Sequence, residues 1–274
     1  MKISIIGGAG KVGSHVGYAL LLRDIKMDEL VLQDVVESVI GEAMDLQQAA
    51  AAMEKDVKIR GTLDIAECKD SDIVIIAAGK GRSSDEDRYS LLEANKKILG
   101  SILEKNPGSE KTIYLITTNP VDAMTYFLVK NVDDRKKVIG ISTITDTGRM
   151  KVFSDGYLIG EHGKNMVPVG GDVVEKVKES NTEMLKLKGG TWFLTPVGIT
   201  KIVKSIVNDE KKEFPVSVLL EGEYGFEDVC LSVPCIIGRN GVEEIKELKL
   251  DEKQKEILEK AVKSIKSAIN QVEQ

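Results

Sequence analysis

The stretch Ile3-Ser4-Ile5-Ile6-Gly7-Gly8-Ala9-Gly10-Lys11-Val12-Gly13 decides the fold class of this 274-residue chain. A short β-branched run leads into G-x-G-x-x-G, formed by Gly8, Gly10 and Gly13, and an apolar helix-like stretch follows at 16–22. Glycines at these positions permit a tight turn, and they let backbone N–H groups approach a pyrophosphate at the N-terminus of the helix. The order of strand, glycine turn and helix therefore predicts a dinucleotide-binding unit.

The acidic residue after the second predicted strand indicates which dinucleotide is bound. Asp34 lies 21 residues beyond Gly13. A carboxylate at this place can accept hydrogen bonds from both ribose hydroxyls of adenosine, and it would repel a 2′-phosphate. We therefore expect NAD rather than NADP. The predicted cofactor-binding residues of this region are Gly7, Gly8, Gly10, Lys11, Val12, Gly13 and Asp34.

The rest of the first half alternates short apolar runs with amphipathic stretches. Strands are predicted at 2–6, 30–33, 57–60, 72–77, 112–117 and 138–142. The run Ile73-Val74-Ile75-Ile76-Ala77-Ala78 is apolar on both faces, which is typical of a parallel strand covered by helices on both sides. These features predict a doubly wound parallel sheet of Rossmann type over residues 1–142.

The pattern changes after residue 142. Glycine-punctuated strands are predicted at 156–160, 216–223 and 229–238, and helices at 172–188, 196–208 and 251–270. We therefore predict an α/β chain of two domains: an NAD-binding domain at 1–142, and a mixed α+β substrate domain at 143–274.

Composition restricts the partners and the compartment. The net charge of −6 opposes binding to nucleic acid or to an anionic membrane, and no long basic block is present. The apolar run before Gly7 is too short for a signal peptide and no later run approaches a membrane span, so we expect a cytoplasmic protein. Cys68, Cys230 and Cys235 are interpreted as buried free thiols, and no metal site is predicted.

Polar residues after the predicted strands are the candidates for a catalytic site, because open α/β sheets bind ligands at this edge. The polar stretch 79–88 has the character of a mobile lid, with Arg82 and Arg88 able to turn toward a ligand. Asn119 ends the fifth strand, where its amide can donate to a substrate oxygen. The remaining candidates are Asp146, Arg149 and His162, whereas His15, among apolar neighbours, is interpreted as a packing residue.

Together these residues resemble the NAD-dependent lactate/malate dehydrogenase family, and most of all its archaeal-type malate dehydrogenases. The resemblance covers nearly the whole chain. The matching segments are 7–13, Asp34, 41–46, Arg82, Arg88, 92–98 with Asn95, 118–122, 146–149, 159–163, 188–191, 233–234 and Gly238.

The resemblance implies a role for each candidate residue. His162 is the proton acceptor or donor, and Asp146 orients it. Arg149 holds the substrate carboxylate, and Arg88 polarises the reacting carbonyl. Asn119 and Asn95 lie against substrate and cofactor. The family also implies a homo-oligomer, a dimer or a tetramer.

The chemistry of hydride transfer requires these residue types in its own right. Removing a hydride from C–OH requires loss of the hydroxyl proton, which a histidine can accept near neutral pH. In the reverse direction the carbonyl oxygen gains negative charge, which a guanidinium stabilises most strongly in the transition state.

Arg82 indicates the substrate. In the family, arginine at this lid position accompanies a second substrate carboxylate, and closing it over a methyl group would desolvate an unpaired charge. We therefore expect malate and oxaloacetate, with lactate and pyruvate as the alternative.

Two intervals are shorter than the family usually has. Arg149 and His162 are 13 positions apart, and His162 and Lys188 are 26 apart. The shortening motivates another hypothesis, an NAD-binding sensor or scaffold with little turnover. An NAD-dependent glycosidase is a more distant alternative, because that group uses a metal site with cysteine and histidine. In the lid, Lys80-Gly81 and Ser84-Asp85 replace residues that are familiar in the family.

Overall fold

A computed structural model describes residues 1–23, 25–81, 91–105 and 108–273. Its helices are α1 (Lys11–Leu22), α2 (Ser38–Ala52), α3 (Leu92–Leu103), α4 (Val121–Val129), α5 (Thr143–Met150), α6 (Val174–Lys188), α7 (Leu194–Asn208) and α8 (Glu252–Glu273). Its strands are β1 (Lys2–Ile6), β2 (Glu29–Gln33), β3 (Lys58–Thr62), β4 (Ile73–Ile76), β5 (Ile113–Ile116), β6 (Val138–Gly140), β7 (Gly156–Gly160), β8 (Met166–Gly170), β9 (Lys212–Glu221), β10 (Glu227–Gly238) and β11 (Gly241–Ile245).

The first six strands are parallel and lie in the order β3-β2-β1-β4-β5-β6. All residues of β4 and β5 are buried, as strands with both faces covered require. The strand order reverses between β1 and β4, directly beside the glycine turn. Open α/β sheets bind ligands at such a reversal. The predicted doubly wound sheet is confirmed.

The second half extends the same sheet with antiparallel strands. β9 and β10 form a long pair, the β7–β8 hairpin lies along β10, and β11 also pairs with β10. Gly140 of β6 pairs with Ser217 of β9, so that the described strands form one sheet. A Cβ on Gly140 would lie only 2.7 Å from the Cβ of Ser217, so glycine permits this join.

The main hydrophobic core also runs through both halves, and a smaller cluster lies beside β7 and β8. The mixed α and β character predicted for the second half is confirmed. The predicted boundary between domains 1–142 and 143–274 stays a prediction.

The structure contains two strands, β8 and β11, that the sequence analysis does not predict. β8 contains Pro168 and ends at Gly170, residues that are rare inside strands. β11 follows a tight turn in which Gly241 has a φ of +93°. β9 begins earlier than predicted, because Pro215 is accommodated opposite Pro234 and does not end the strand.

No helix of the described ranges is both long enough and apolar enough to cross a membrane. The three cysteines are free and buried, as predicted. Burial raises the pKa of each thiol.

Candidate active site

A cavity of about 340 Å³ opens where β1, β4 and β5 end. Residues that follow these strands line it, together with residues that follow β6 and β7 and with residues from α6 to the start of α7. The described lining residues are Gly10, Lys11, Val12, Ala77, Gly79, Lys80, Gly81, Thr117, Thr118, Asn119, Ile141, Thr145, Arg149, His162, Asn181, Leu185, Gly189, Gly190, Thr191, Trp192 and Thr195.

The glycine turn forms a close cradle at one part of this cavity. A Cβ on Gly13 would collide with the carbonyl oxygen of Gly7. Gly7 has a φ of +89°, and a Cβ on it would lie 2.5 Å from the backbone nitrogen of Ala78. Only glycine therefore allows α1 to begin so close to β1 and β4. The Asp34 carboxylate accepts the N–H of Ala9 at 3.0 Å, which places it beside the turn. Backbone groups and a carboxylate in this arrangement fit a dinucleotide.

Asn95 holds the main chain of two segments that line the cavity, one at Lys80 and one at Asn119. Its side chain is fully buried, and its Oδ1 accepts the N–H of Lys80 at 2.7 Å. Its Nδ2 donates to the carbonyl oxygens of Asn119 (2.6 Å) and Lys80 (3.3 Å). The contact of Asn95 with a cofactor stays a prediction, and its observed hydrogen bonds make it a positioning residue.

The structure brings His162, Asp146 and Arg149 together beside the cavity. His162 Nδ1 lies 2.5 Å from Asp146 Oδ2. Arg149 donates from one terminal nitrogen to Asp146 Oδ1 at 2.7 Å, and from the other to Thr191 Oγ1 at 2.9 Å. The side chains of Asp146 and Arg149 are only 2% and 7% exposed. Such burial strengthens the interactions between these charged groups.

A second carboxylate holds the backbone of the histidine. Asp122, at the start of α4, accepts the N–H of His162 on Oδ2 at 2.9 Å and the hydroxyl of Ser142 on Oδ1 at 2.8 Å. Burial raises the pKa of Asp122 to about 6, against the hydrogen bond from the His162 N–H, which lowers it. Two carboxylates thus position one histidine: Asp146 its ring and Asp122 its main chain.

The loop after β7 is tied to the C-terminal helix. Glu161 is buried, and its carboxylate accepts hydrogen bonds from Asn165 and from Ser264 of α8. Lys164 donates to the same Ser264 hydroxyl at 3.3 Å. These contacts fix the loop that carries His162.

The charged side chains among the described lining residues are all positive. Lys11, Lys80 and Arg149 line the cavity, and none of the lining residues in the described part of the chain is Asp or Glu. In a chain with a net charge of −6, this arrangement is suited to anionic ligands.

Two predicted site residues, Arg82 and Arg88, lie outside the described residues. Conversely, several residues that the structure places at the site have no role predicted from the sequence. Thr191 falls in a segment that carries the resemblance, and Asp122 follows Asn119 in another. Trp192, Thr195, Asn181 and Leu185 line the cavity without a signal in the sequence.

The fold and the cavity define a two-part, dinucleotide-binding protein with a buried His–Asp pair at the ligand edge of its sheet. Residues 1–140 match the model of the lactate/malate dehydrogenase NAD binding domain, and residues 170–274 match that of the family's alpha/beta C-terminal domain. The chain belongs to the lactate/malate dehydrogenase family, as the sequence predicts.

Known relatives match along nearly their whole length. A malate dehydrogenase of Aeropyrum pernix is 34% identical over 295 residues, covering 96% of each chain. The structure of the malate dehydrogenase of Archaeoglobus fulgidus in complex with NADH is 32% identical, with a TM-score of 0.92 and complete coverage of both chains. The minor L-lactate dehydrogenase of Enterococcus mundtii is 30% identical, with a TM-score of 0.89, and the match covers 99% of this chain and 98% of that one.

Residues 141–169 lie between the two matched ranges, and they contain Asp146, Arg149 and His162. α5 ends at Met150, and β7 begins at Gly156. This short path still brings His162 against Asp146.

Proposed function

We propose that this chain interconverts malate and oxaloacetate by NAD-dependent hydride transfer. The observation that carries the proposal is the buried His162–Asp146 pair, which borders the same cavity as the glycine turn. Malate dehydrogenases that align along nearly the whole chain support the same activity.

NAD supplies or accepts the hydride when it is bound. Its place is the cradle of Gly8, Gly10 and Gly13, with Asp34 toward the adenosine ribose. Because Asp34 carries a charge where NADP has a phosphate, NAD is the preferred cofactor.

His162 moves the proton. With Nδ1–H donated to Asp146, Nε2 is the ring atom that takes the hydroxyl proton of malate and returns it to oxaloacetate. Asp146 stabilises the imidazolium formed in the first direction. Asp122 keeps the main chain of His162 in place while the charge of the ring changes.

Arg149 holds the α-carboxylate of the substrate, and the Thr191 hydroxyl lies beside its guanidinium. Arg88 polarises the reacting carbonyl, and Arg82 pairs with the second carboxylate. These last two assignments rest on the resemblance of the sequence to the family, because Arg82 and Arg88 lie outside the described residues.

The test is NADH oxidation by the purified protein, followed optically with oxaloacetate and with pyruvate at matched concentrations, and repeated with NADPH. We expect a strong preference for oxaloacetate and for NADH. His162→Asn is the control, because it should retain NADH binding in calorimetry and lose turnover.

Other outcomes would replace the proposal. A preference for pyruvate would support a lactate dehydrogenase, to which the likeness to the Enterococcus mundtii enzyme also points. NADH binding without turnover of either acid would support the sensor or scaffold hypothesis.

We also propose that the protein acts as a homo-oligomer in the cytoplasm. Apolar side chains are exposed on three neighbouring helices, namely Tyr18 and Leu22 on α1, Ile40 and Met44 on α2, and Val197 on α7. A second copy covering them would remove this surface from water. Light scattering after gel filtration should give a multiple of 30.0 kDa. Leu22→Glu should dissociate the oligomer, and a monomeric wild-type protein would refute the proposal.

A further inference from the structure

Trp192 is the single tryptophan of the chain, and it lines the cavity from the loop between α6 and α7. The ammonium group of Lys11 lies over its ring, 3.7 Å from the centroid. Lys11 is the first residue of α1, directly after Gly10 of the glycine turn. The indole therefore covers the cation that lies nearest along the chain to the predicted phosphate cradle.

The loop is built to hold the indole in this place. A Cβ on Gly190 would lie 2.6 Å from Trp192 Nε1, so that the glycine lets the ring lie against its own loop. Lys188 lies 4.7 Å from the centroid of the Trp192 ring and 4.3 Å from that of Phe193. The ring thus has a second cation partner, which it keeps if Lys11 leaves.

Lys11 makes no ion pair within the described part of the chain, and the indole is its aromatic partner there. A cation–π contact at a partly exposed site is weaker than a charge-assisted hydrogen bond to a phosphate oxygen. A pyrophosphate in the glycine cradle would therefore take the ammonium from the ring.

We propose that Trp192 competes with the pyrophosphate of the dinucleotide for the Lys11 ammonium. The indole weakens cofactor binding, and its fluorescence reports when Lys11 changes partner. This inference rests on the proposed function, because it takes the cavity to be the NAD site.

The test combines tryptophan emission with calorimetry, using ADP-ribose and adenosine as probes. ADP-ribose carries the pyrophosphate but no nicotinamide, so it does not quench the indole by energy transfer to that ring. We expect ADP-ribose to change the Trp192 emission and adenosine to leave it unchanged. In Lys11→Met the emission should differ from that of the wild type before any ligand is added, and ADP-ribose should change it no further.

Trp192→Leu gives the sharpest result. Losing a contact of ~0.5–1 kcal/mol that opposes binding should tighten ADP-ribose binding about 2- to 5-fold. Weaker binding by this variant would overturn the proposal, since the ring would then support the ligand. Wild-type emission from unliganded Lys11→Met would overturn it as well.

Two lysine variants separate this competition from the general effect of charge. Lys80→Met removes another cation of the cavity lining. It should weaken ADP-ribose binding, and it should leave the Trp192 emission of the unliganded protein unchanged. Lys97→Met, on the exposed face of α3, should change neither quantity.

Failure of the wild type to bind ADP-ribose would overturn the proposed function too. Binding without a Lys11-dependent change in emission would overturn only the role of Trp192.

Discussion

The buried carboxylate of Asp122 should make the stability of this protein depend on pH in an unusual direction. Burial raises its pKa from 3.8 to about 6, so the folded protein binds this proton more tightly than the unfolded chain. The protonated carboxyl therefore contributes stability that is fully present below pH 3.8 and is lost as the pH rises through about 6. At ~1.36 kcal/mol for each tenfold change in proton affinity, the loss is about 3 kcal/mol.

Asp122→Asn removes this titration with little change of shape. The amide oxygen of the new asparagine can still accept the N–H of His162. The Ser142 hydroxyl can rotate to accept a hydrogen bond from the amide nitrogen. The free energy of unfolding of the variant, minus that of the wild type, should rise by roughly 2 kcal/mol between pH 4 and pH 7, because part of the stabilisation is already lost at pH 4. Subtraction cancels the carboxylates that do not interact with Asp122. Glu161, whose charge raises the pKa of Asp122, and Cys230, whose pKa the Asp122 charge raises, are present in both proteins.

The assay is urea unfolding followed by circular dichroism at several pH values across this range. Asp45→Asn, on the exposed face of α2, is the matched control and should give a flat difference. A flat difference for Asp122→Asn would refute the reasoning, as would one that falls with rising pH.

Four further substitutions test the proposed roles. His162→Asn should lower kcat by about 100-fold or more, because the proton acceptor is lost, and a kcat close to that of the wild type would exclude this role. Arg149→Lys should raise the KM for oxaloacetate about 10- to 100-fold through loss of the planar fork, and an unchanged KM in steady-state kinetics would contradict the contact. Arg82→Gln should lower kcat/KM for oxaloacetate by a similar factor and that for pyruvate far less, whereas equal losses would remove Arg82 from specificity. Asp34→Ser should reduce the preference for NADH over NADPH about tenfold, and an unaltered ratio of kcat/KM values would count against the ribose contact.

Local patterns were sufficient to predict the parallel sheet and the glycine cradle. The run from Ile73 to Ile76 indicates a strand buried on both faces, and the glycine turn indicates that a helix begins directly after β1. β11 was also predictable in principle, since Asn240-Gly241 is a hairpin signal between two apolar runs. β8 was harder to predict because Pro168 and Gly170 weaken its local pattern.

The parts of the site that the sequence did not reveal depend on contacts between distant residues. Asp122 and His162 are 40 positions apart, and their hydrogen bond uses a main-chain N–H that no side-chain motif records. Lys11 and Trp192 meet only because the α6–α7 loop returns to the start of α1. Periodicity describes neighbours along one element, so it identifies such residues one at a time but not their pairing.

The pairing of Gly140 with Ser217 has a consequence for how this molecule can be divided. Because β6 pairs with β9 and the apolar core crosses this join, cutting the chain after Ser142 would expose a strand edge and core surface on both fragments. Neither fragment is expected to remain soluble when expressed alone, and co-expressed fragments should reassociate along this seam.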